Sequence, residues 1–547
     1  MCARFIRARG TETPSQFKQR AERSYEQVLG FYDRTLTWVL EHQRMTLAVT
    51  MGMLAATIAL YVAAPKGFFP QHDTGLIIGV AEAAPDISYT AMSSRIETLA
   101  RVVMQDPDID NVYYWIGPNP TLSQGRMMIN LKPAHQRKAS AAEIMARLKP
   151  KVAAVQGIAL FMQVRQDIQV GGRLSKTQYQ YTLQDANTDE LARWSLIMLK
   201  KLQGLKELRD VTADIQASAS RATLRIDRDT ASRFGITAQA IDDTLYDAFG
   251  QRQVATLFTQ LNQYKVVLEL DPRFQLDTSV LHQLYVRSPN SGQLVPMSAF
   301  VRIENSVAPI SINHQGLFPS VTLSFNLAPG YALGDAVAAV QAVARGAGKP
   351  DSLFASFQGT AQAFQASLTS QPYLILAAVI AVYIVLGILY ESYVHPLTII
   401  STLPSAGAGA LLALILCRQD LSVMGVIGIL LLIGIVKKNA ILMIDFALVA
   451  QRHENMPPRQ AIHQACLLRF RPIMMTTMAA LFGALPLAFG LGSGGELRQP
   501  LGISIVGGLL LSQVLTLYTT PVVYLYLGRL AASIQQNFRR SAQTHTG

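Results

Sequence analysis

The sequence predicts an α-helical membrane protein that carries a large α+β region. It reads as six transmembrane helices, two ferredoxin-like β-α-β-β-α-β units, and a domain inserted into the second unit. Three observations predict this. Half of the 547 residues are hydrophobic and only 15% are charged, against about 25% in an ordinary soluble protein. The apolar residues gather into six stretches with few or no Asp, Glu, Lys or Arg, and about 20 such residues cross a hydrocarbon core of about 30 Å. Between the first and second stretches lies a long polar segment whose strand and helix patterns recur in one order.

Residues 1–44 are basic. Phe17, Val28, Leu29, Leu36, Val39 and Leu40 recur there at helical spacing, which predicts a helix lying in the membrane interface. Met1–Gly10 holds three Arg and no apolar core, unlike a secretory signal. The first span occupies 45–65, and the others are Tyr373–Tyr390, Pro396–Cys417, Leu421–Phe446, Pro472–Gly495 and Pro500–Gly528. Eight Lys or Arg precede the first span, four lie between Ala450 and Arg471, and three follow Gly528. The loops on the other side carry one each, Arg418 and Arg498. Both termini are therefore expected in the cytoplasm. The same distribution accounts for the net charge of +12 through contact with membrane lipids, with no nucleic acid required.

The polar segment must then be exported. Its first unit, 66–177, reads as strand Gly75–Ala83, helix Ser88–Gln105, strands Asn111–Ile116 and Arg126–Lys132, helix Ala141–Val155 and strand Ile158–Val164. The second unit, 178–217 and 316–371, begins with strand Gln178–Leu183, helix Thr188–Leu202 and strand Glu207–Ile215. It resumes with strand Ser320–Asn326, helix Gly334–Ala344 and strand Leu353–Gln358. Residues 218–315 interrupt it with strands Ala222–Ile226 and Lys265–Leu270 and helix Ala238–Phe249. Five spans fill 372–528, and 529–547 form a cytoplasmic tail.

No enzyme signature is present. There is no G-x-x-x-x-G-K-[ST] loop and no H-E-x-x-H, and Cys2, Cys417 and Cys466 match neither a disulfide framework nor a zinc site. Neither catalysis nor a cofactor or metal is expected. The informative residues are ionisable groups inside spans. Lys437 and Lys438 lie about two turns from the cytoplasmic end of the fourth span, where a central cation costs about 2.5–3.5 kcal/mol. A lysine can snorkel to the headgroups, but the two point about 100° apart, so at least one is expected to face a polar interior. Asp445 lies two turns beyond Lys438, too far to pair on a regular helix. Glu391, Asp420 and Glu496 sit at ends or in loops. An interior lysine thus lacks an anion in this chain. Arg469 and Thr476, seven residues apart, can face one groove with it, while Arg469 also suits ordinary positive-inside anchoring.

These residues sit in runs that resemble the resistance-nodulation-division (RND) multidrug exporters. The runs are Gly434-Ile-Val-Lys-Lys-Asn-Ala-Ile-Leu442 and Arg469-Phe-Arg-Pro-Ile-Met-Met-Thr476. Further matches are Pro65-Lys-Gly-Phe-Phe-Pro70, Ala248-Phe-Gly-Gln-Arg252, Tyr383-Ile-Val-Leu-Gly-Ile-Leu-Tyr-Glu-Ser392 and Glu496-Leu-Arg-Gln-Pro-Leu-Gly502. The resemblance covers essentially the whole chain and is strongest to a B-type subunit of a mixed trimer. Such exporters have twelve spans in two similar halves, so this chain resembles the C-terminal half. The acidic pair that takes up protons lies in the other half.

By position, Lys438, Arg469 and Thr476 match the family's proton-relay partners of that pair. The resemblance further implies export of drugs or amphiphiles driven by the proton motive force, from a bacterial inner membrane with the large domain in the periplasm. It implies an N-terminal half as partner, homologous subunits in a trimer, a periplasmic adaptor and an outer-membrane channel. The two units become porter subdomains, and the insert becomes the docking domain. Tyr113, Trp115 and Met128 fall in the stretch that lines an aromatic substrate pocket in relatives, although core packing of a strand pair is slightly favoured for at least one of them. The competing reading is a truncated, non-transporting fragment or an assembly subunit.

Overall fold

The computed structural model describes residues 16–117, 121–171, 175–215, 218–275, 278–309, 311–492 and 494–544. The basic Met1–Gly10 stretch lies outside them. Two helices open the described chain, α1 (Gln16–Glu41) and α2 (Gln43–Ala63), separated only by His42. Tyr32, Leu36 and Leu40, one turn apart on α1, are buried in the protein. The Tyr32 hydroxyl donates to the Leu517 carbonyl at 2.9 Å, and its ring stacks on Phe470 at 4.8 Å. The helix expected to lie in the interface thus gives one face to the protein. Val28, Phe31 and Trp38 stay exposed on another.

The next unit comprises β1 (Leu76–Ala83), α3 (Tyr89–Met104), β2 (Ile109–Ile116), β3 (Gln124–Leu131), α4 (Ala141–Ala153) and β4 (Ile158–Val164). The strands form an antiparallel sheet in the order β2-β3-β1-β4. Both helices start on serine caps. Ser88 accepts from the Ala91 N–H, and Ser140 forms a capping box with Glu143, which satisfies amides that the first turn leaves free. Their apolar stripes (Ile96 and Leu99; Ile144 and Leu148) pack on Ile77, Met127 and Ile129. Side chains alternate across a strand, so only one face of the sheet is covered by helices.

The second unit repeats the arrangement with β5 (Tyr179–Gln184), α5 (Thr188–Gln203) and β6 (Leu208–Ala213). The chain then leaves through β7 (Ser218–Ile226), α6 (Arg228–Arg233), α7 (Ala238–Phe249), β8 (Arg252–Phe258), β9 (Gln263–Leu268), β10 (Tyr285–Arg287), β11 (Leu294–Pro296) and β12 (Val301–Pro309). It returns through β13 (His314–Gln315), β14 (Phe318–Leu327), α8 (Leu333–Gly346) and β15 (Phe354–Gln358). β14 pairs with both β6 and β5, and β5 pairs with β15. That is the first unit's order, with the insert placed between its second and third strands. Within the insert, β7 pairs with β12 along its whole length, while the β8–β9 hairpin stands exposed on both faces.

The remaining helices are α9 (Thr360–Tyr390), α10 (Val394–Ile400), α11 (Leu403–Leu416), α12 (Val423–His453), α13 (Pro458–Ala488) and α14 (Gly495–Thr544). Six segments among the described residues are long and apolar enough to cross a membrane: α2, α9, α10 with α11, α12, α13 and Gly495–Ala531. Their limits differ from the sequence expectation at the prolines. The charge-free runs begin at Pro472 and Pro500, just past Arg471 and Arg498. Yet α13 and α14 run through both residues, and the Ser504 hydroxyl bonds the Pro500 carbonyl at 2.7 Å. The expected continuous span Pro396–Cys417 breaks at Ser401 and Thr402. Pro404 has no N–H for the Ile400 carbonyl and clashes with it. The Ser401 and Thr402 hydroxyls bond the Thr398 and Ile399 carbonyls instead, at 2.7 and 2.8 Å.

α11 and α14 approach so closely that a Cβ on Gly409 would stand 2.6 Å from the Gly507 carbonyl oxygen. Small residues permit such approaches between apolar helices. Gly409→Val is therefore expected to lower stability by about 1–3 kcal/mol, read as a lower Tm in detergent. A second test concerns Asp73, which accepts from Arg137 at 2.6 and 2.7 Å and from the Ala141 and Gly75 N–H groups at 2.7 and 2.9 Å. Burial works against this carboxylate, but the donors outweigh it and hold its pKa below the ordinary aspartate range. Its contribution is present above the unfolded-state pKa and lost as pH falls through the lower folded-state value. Asp73→Ala is expected to cost about 3 kcal/mol at neutral pH. The gap from wild type should close on acidification below about pH 4, as followed by thermal unfolding across pH.

Candidate functional site: the open side of the apolar helices

Lys438 stands at the midpoint of α12, equally far from Val423 and His453. The helix runs on past Phe446, so the lysine is about four turns from that end, not the two expected. Val436, Asn439, Ala440 and Met443 form the buried stripe of α12. Leu431, Gly434, Lys438 and Asp445 form an exposed one. On α13, Arg469 and Thr476 are half-buried. The Thr476 hydroxyl donates to the Ile473 carbonyl at 3.1 Å. The Arg469 guanidinium lies over the Phe446 ring at 5.1 Å, and its Nε is buried with no hydrogen-bond partner. No carboxylate pairs with Lys438 or Arg469 among the described residues.

The three candidate relay residues share one side of the α12–α13 pair. Asn439 bonds Thr477, whereas Phe446, further along α12, meets Arg469, earlier on α13. The two helices are therefore antiparallel. Each residue turns about 100° around a helix. One step back from the Asn439–Thr477 contact swings Lys438 clockwise and Thr476 anticlockwise, viewed from one end, so both emerge on the same side. Arg469 and Asp445 lie seven residues from Thr476 and Lys438, nearly two whole turns, and keep that side.

Sequence reasoning missed what holds the pair. The Asn439 amino group donates to Thr477 Oγ1 at 3.2 Å and to Gln513 Oε1 at 3.1 Å, and the Thr477 hydroxyl donates to Gln513 Oε1 at 2.6 Å. All three residues are over nine-tenths buried. An amide without partners in an apolar interior costs about 2–7 kcal/mol, so these groups hold one another inside the bundle. Asn439 and Gln513 were visible as the amides within apolar runs. The lysines drew attention because charge is costlier.

Tyr113, Trp115 and Met128 do not pack in a core. Tyr113 and Trp115 are 59% and 44% exposed, and Tyr113 pairs with Met128 across β2 and β3. All three stand on the sheet face opposite α3 and α4. Arg126 shares that face, opposite Trp115 on β2 and Val80 on β1. Its Nη1 is buried without a hydrogen-bond partner. Nothing in the sequence pattern singled it out.

A model of the AcrB/AcrD/AcrF family matches residues 1–528. The chain belongs to this family. The multidrug resistance protein MdtC of Escherichia coli O157:H7 (strain EC4115 / EHEC) is 51% identical over 94% of the chain. The chain spans about half the length of this curated relative, 50% of it. Two crystal forms of a heavy metal efflux pump share the fold with a TM-score of 0.81, at 19% and 20% identity. They cover 92% of this chain, which covers 53% and 52% of theirs. The RND resemblance read from the motifs thus stands. The B-type assignment does not follow, because the relative is a C subunit.

The open sheet face bears less on folding than the face covered by α3 and α4. Trp115→Ala is expected to shift unfolding stability by no more than about 0.5 kcal/mol, as for other exposed sites. Met127→Ala on the covered face should cost about 2–5 kcal/mol. Thermal unfolding of the two variants side by side checks this.

Proposed function

We propose that this chain is the C-terminal half of a proton-driven multidrug efflux subunit in a bacterial inner membrane, with its 66–371 region in the periplasm and both termini in the cytoplasm. The observation that carries the reading is the pair of cations, Lys438 and Arg469, on one open side of apolar helices, where Asp445 is the one acidic residue placed on that side and, among the described residues, no carboxylate forms an ion pair with either cation. An intramembrane cation without a counter-charge is costly. A complementary set of helices bearing carboxylates supplies what is missing, and protonation of those carboxylates would release the cations to move. Lys438, Arg469 and Thr476 are the relay residues on this side. The energy source is the proton motive force, with no bound cofactor.

Tyr113, Trp115 and Met128 form the substrate face. Flat apolar and aromatic area accepts many shapes, and Arg126 adds an unpaired guanidinium that favours an anionic headgroup. The substrate class is therefore amphiphiles, anionic ones above all. The exposed β8–β9 hairpin, with Phe258 75% and Leu261 99% exposed, supports assembly with homologous subunits in a trimer. An adaptor and an outer-membrane channel complete the path, as in other pumps of this architecture.

Co-expression with an N-terminal half that carries the acidic pair is expected to restore drug resistance to a susceptible strain. Lys438→Ala in that assembly should abolish it, at unchanged protein levels. Resistance that survives Lys438→Ala would assign this chain a passive place in the trimer instead.

A further inference from the structure

We propose that the Asn439–Thr477–Gln513 ring is a positioning clamp. It sets the rotation of α12 against α13 that brings Lys438 and Thr476 to one side, and through that rotation it sets the proton dependence of export. The statement about rotation stands on geometry alone; the statement about export rests on the relay reading above.

The ring joins three helices at one level. Asn439 comes from α12, Thr477 from α13 and Gln513 from α14. Its protons are fully assigned. The Asn439 amino group uses both hydrogens, Thr477 Oγ1 accepts one and donates its own, and Gln513 Oε1 accepts two. The Gln513 amino group turns outward and meets Met474 Sδ at 3.3 Å, a second tie to α13. The ring closes only with the asparagine amino group and the glutamine carbonyl facing inward.

Around it, α12 and α13 meet through Met443, Cys466 and Ile473. Such contacts are non-directional and tolerate one helix turning on the other. Hydrogen bonds are directional and weaken steeply off axis. Beside the weak Cys466–Met443 sulfur contact at 3.8 Å and the Arg469–Phe446 ring contact, the ring is thus the tightest directional feature described at this interface, and it distinguishes one rotation from its neighbours. Its place in the chain gives that rotation a consequence. Lys438 immediately precedes Asn439, and Thr476 immediately precedes Thr477. Freeing the clamp lets both relay residues swing, with Arg469 two turns along following Thr476.

The test uses the chain assembled with its complementary half in cells and membrane vesicles. Native Cys2, Cys417 and Cys466 are replaced by alanine, and spin labels are placed through Leu431→Cys on α12 and Phe482→Cys on α13, both exposed positions. Thr477→Val removes the hydroxyl at nearly constant volume, and Thr477→Ser restores it. Gln513→Met removes the shared acceptor and is read in place of Thr477→Val should that variant fail to insert. The expected result is a broadened label–label distance distribution in Thr477→Val or Gln513→Met, returned to the parent width in Thr477→Ser. Export should fall about tenfold to a hundredfold, as for misplaced reacting groups, with a moved pH midpoint. Thr477→Ser should recover both.

An unchanged distance distribution in the hydroxyl- and acceptor-deleted variants overturns the clamp. A broadened distribution with an unmoved pH midpoint overturns its role in coupling, since a merely structural loss scales the rate at every pH alike. Lys438→Ala that exports at the parent level, with an unchanged distance distribution, overturns the relay reading and the coupling statement with it. The label distances still decide the rotation.

Discussion

A polar group in an apolar helix has no water to turn to, and the arrangement of this chain's helices follows from how each such group is answered. Where α10 gives way to α11, the Ser401 and Thr402 hydroxyls bond the Thr398 and Ile399 carbonyls at the break before Pro404. At the centre of the bundle, Asn439, Thr477 and Gln513 answer one another. The buried Thr516 and Thr520 hydroxyls and the Arg469 Nε have no hydrogen-bond partner, and among these helices' cations Lys438 and Arg469 open to the same side. The contrast carries information: amides and hydroxyls can satisfy each other in a closed ring, whereas a cation needs an anion or a proton change. Neutral polar residues therefore tie the helices together, whereas the charged ones are left open at the surface of the pair.

The region between the first and second apolar helices shows a similar division at larger scale. The first ferredoxin-like unit buries one sheet face under two helices and leaves the other without helical cover. In the first unit the covered face holds Ile77, Met127 and Ile129. The opposite face presents Tyr113, Trp115, Met128 and Arg126. Period-two alternation makes these sets interleave in sequence, so residues one apart do different work. The unit is also tied to its neighbour by charge, with Lys176 on the connecting segment bonding Glu82 of β1 at 2.7 Å.

The sequence made much of this legible. Charge-free runs marked the apolar helices, and strand and helix periods marked both β-α-β-β-α-β orders and the place of the insert. What escaped it depended on tertiary context. Pro472 and Pro500 carry a local preference for a first turn, yet helices run through both. Tyr113 and Trp115 alternate as any half-buried strand does, and only the position of α3 and α4 decides which face is covered. Arg126 is an ordinary arginine until Trp115 and Val80 flank it and leave its Nη1 unpaired. The apolar spacing in residues 1–44 was readable as a helix. That Tyr32 would stack on Phe470 was not, because the two are joined by no local pattern.

The other basic residues of α13 show why Arg469 stands apart. Arg459 lies 3.9 Å from Glu41, His463 lies 2.9 Å from Asp33, and Arg471 lies 3.6 Å from Glu22. All three carboxylates belong to α1. That helix, docked through Tyr32, Leu36 and Leu40, thus supplies an acidic edge along the first half of α13. Arg469 sits between His463 and Arg471 in sequence but turns about 160° away from Arg471 around the helix, out of reach of that edge and toward Lys438. Its buried Nε remains unpaired although this chain has acidic residues close by. A shortage of anions in the neighbourhood therefore does not explain the orphan; its direction does. The side it points to is the side to which Lys438 and Asp445 of α12 also open.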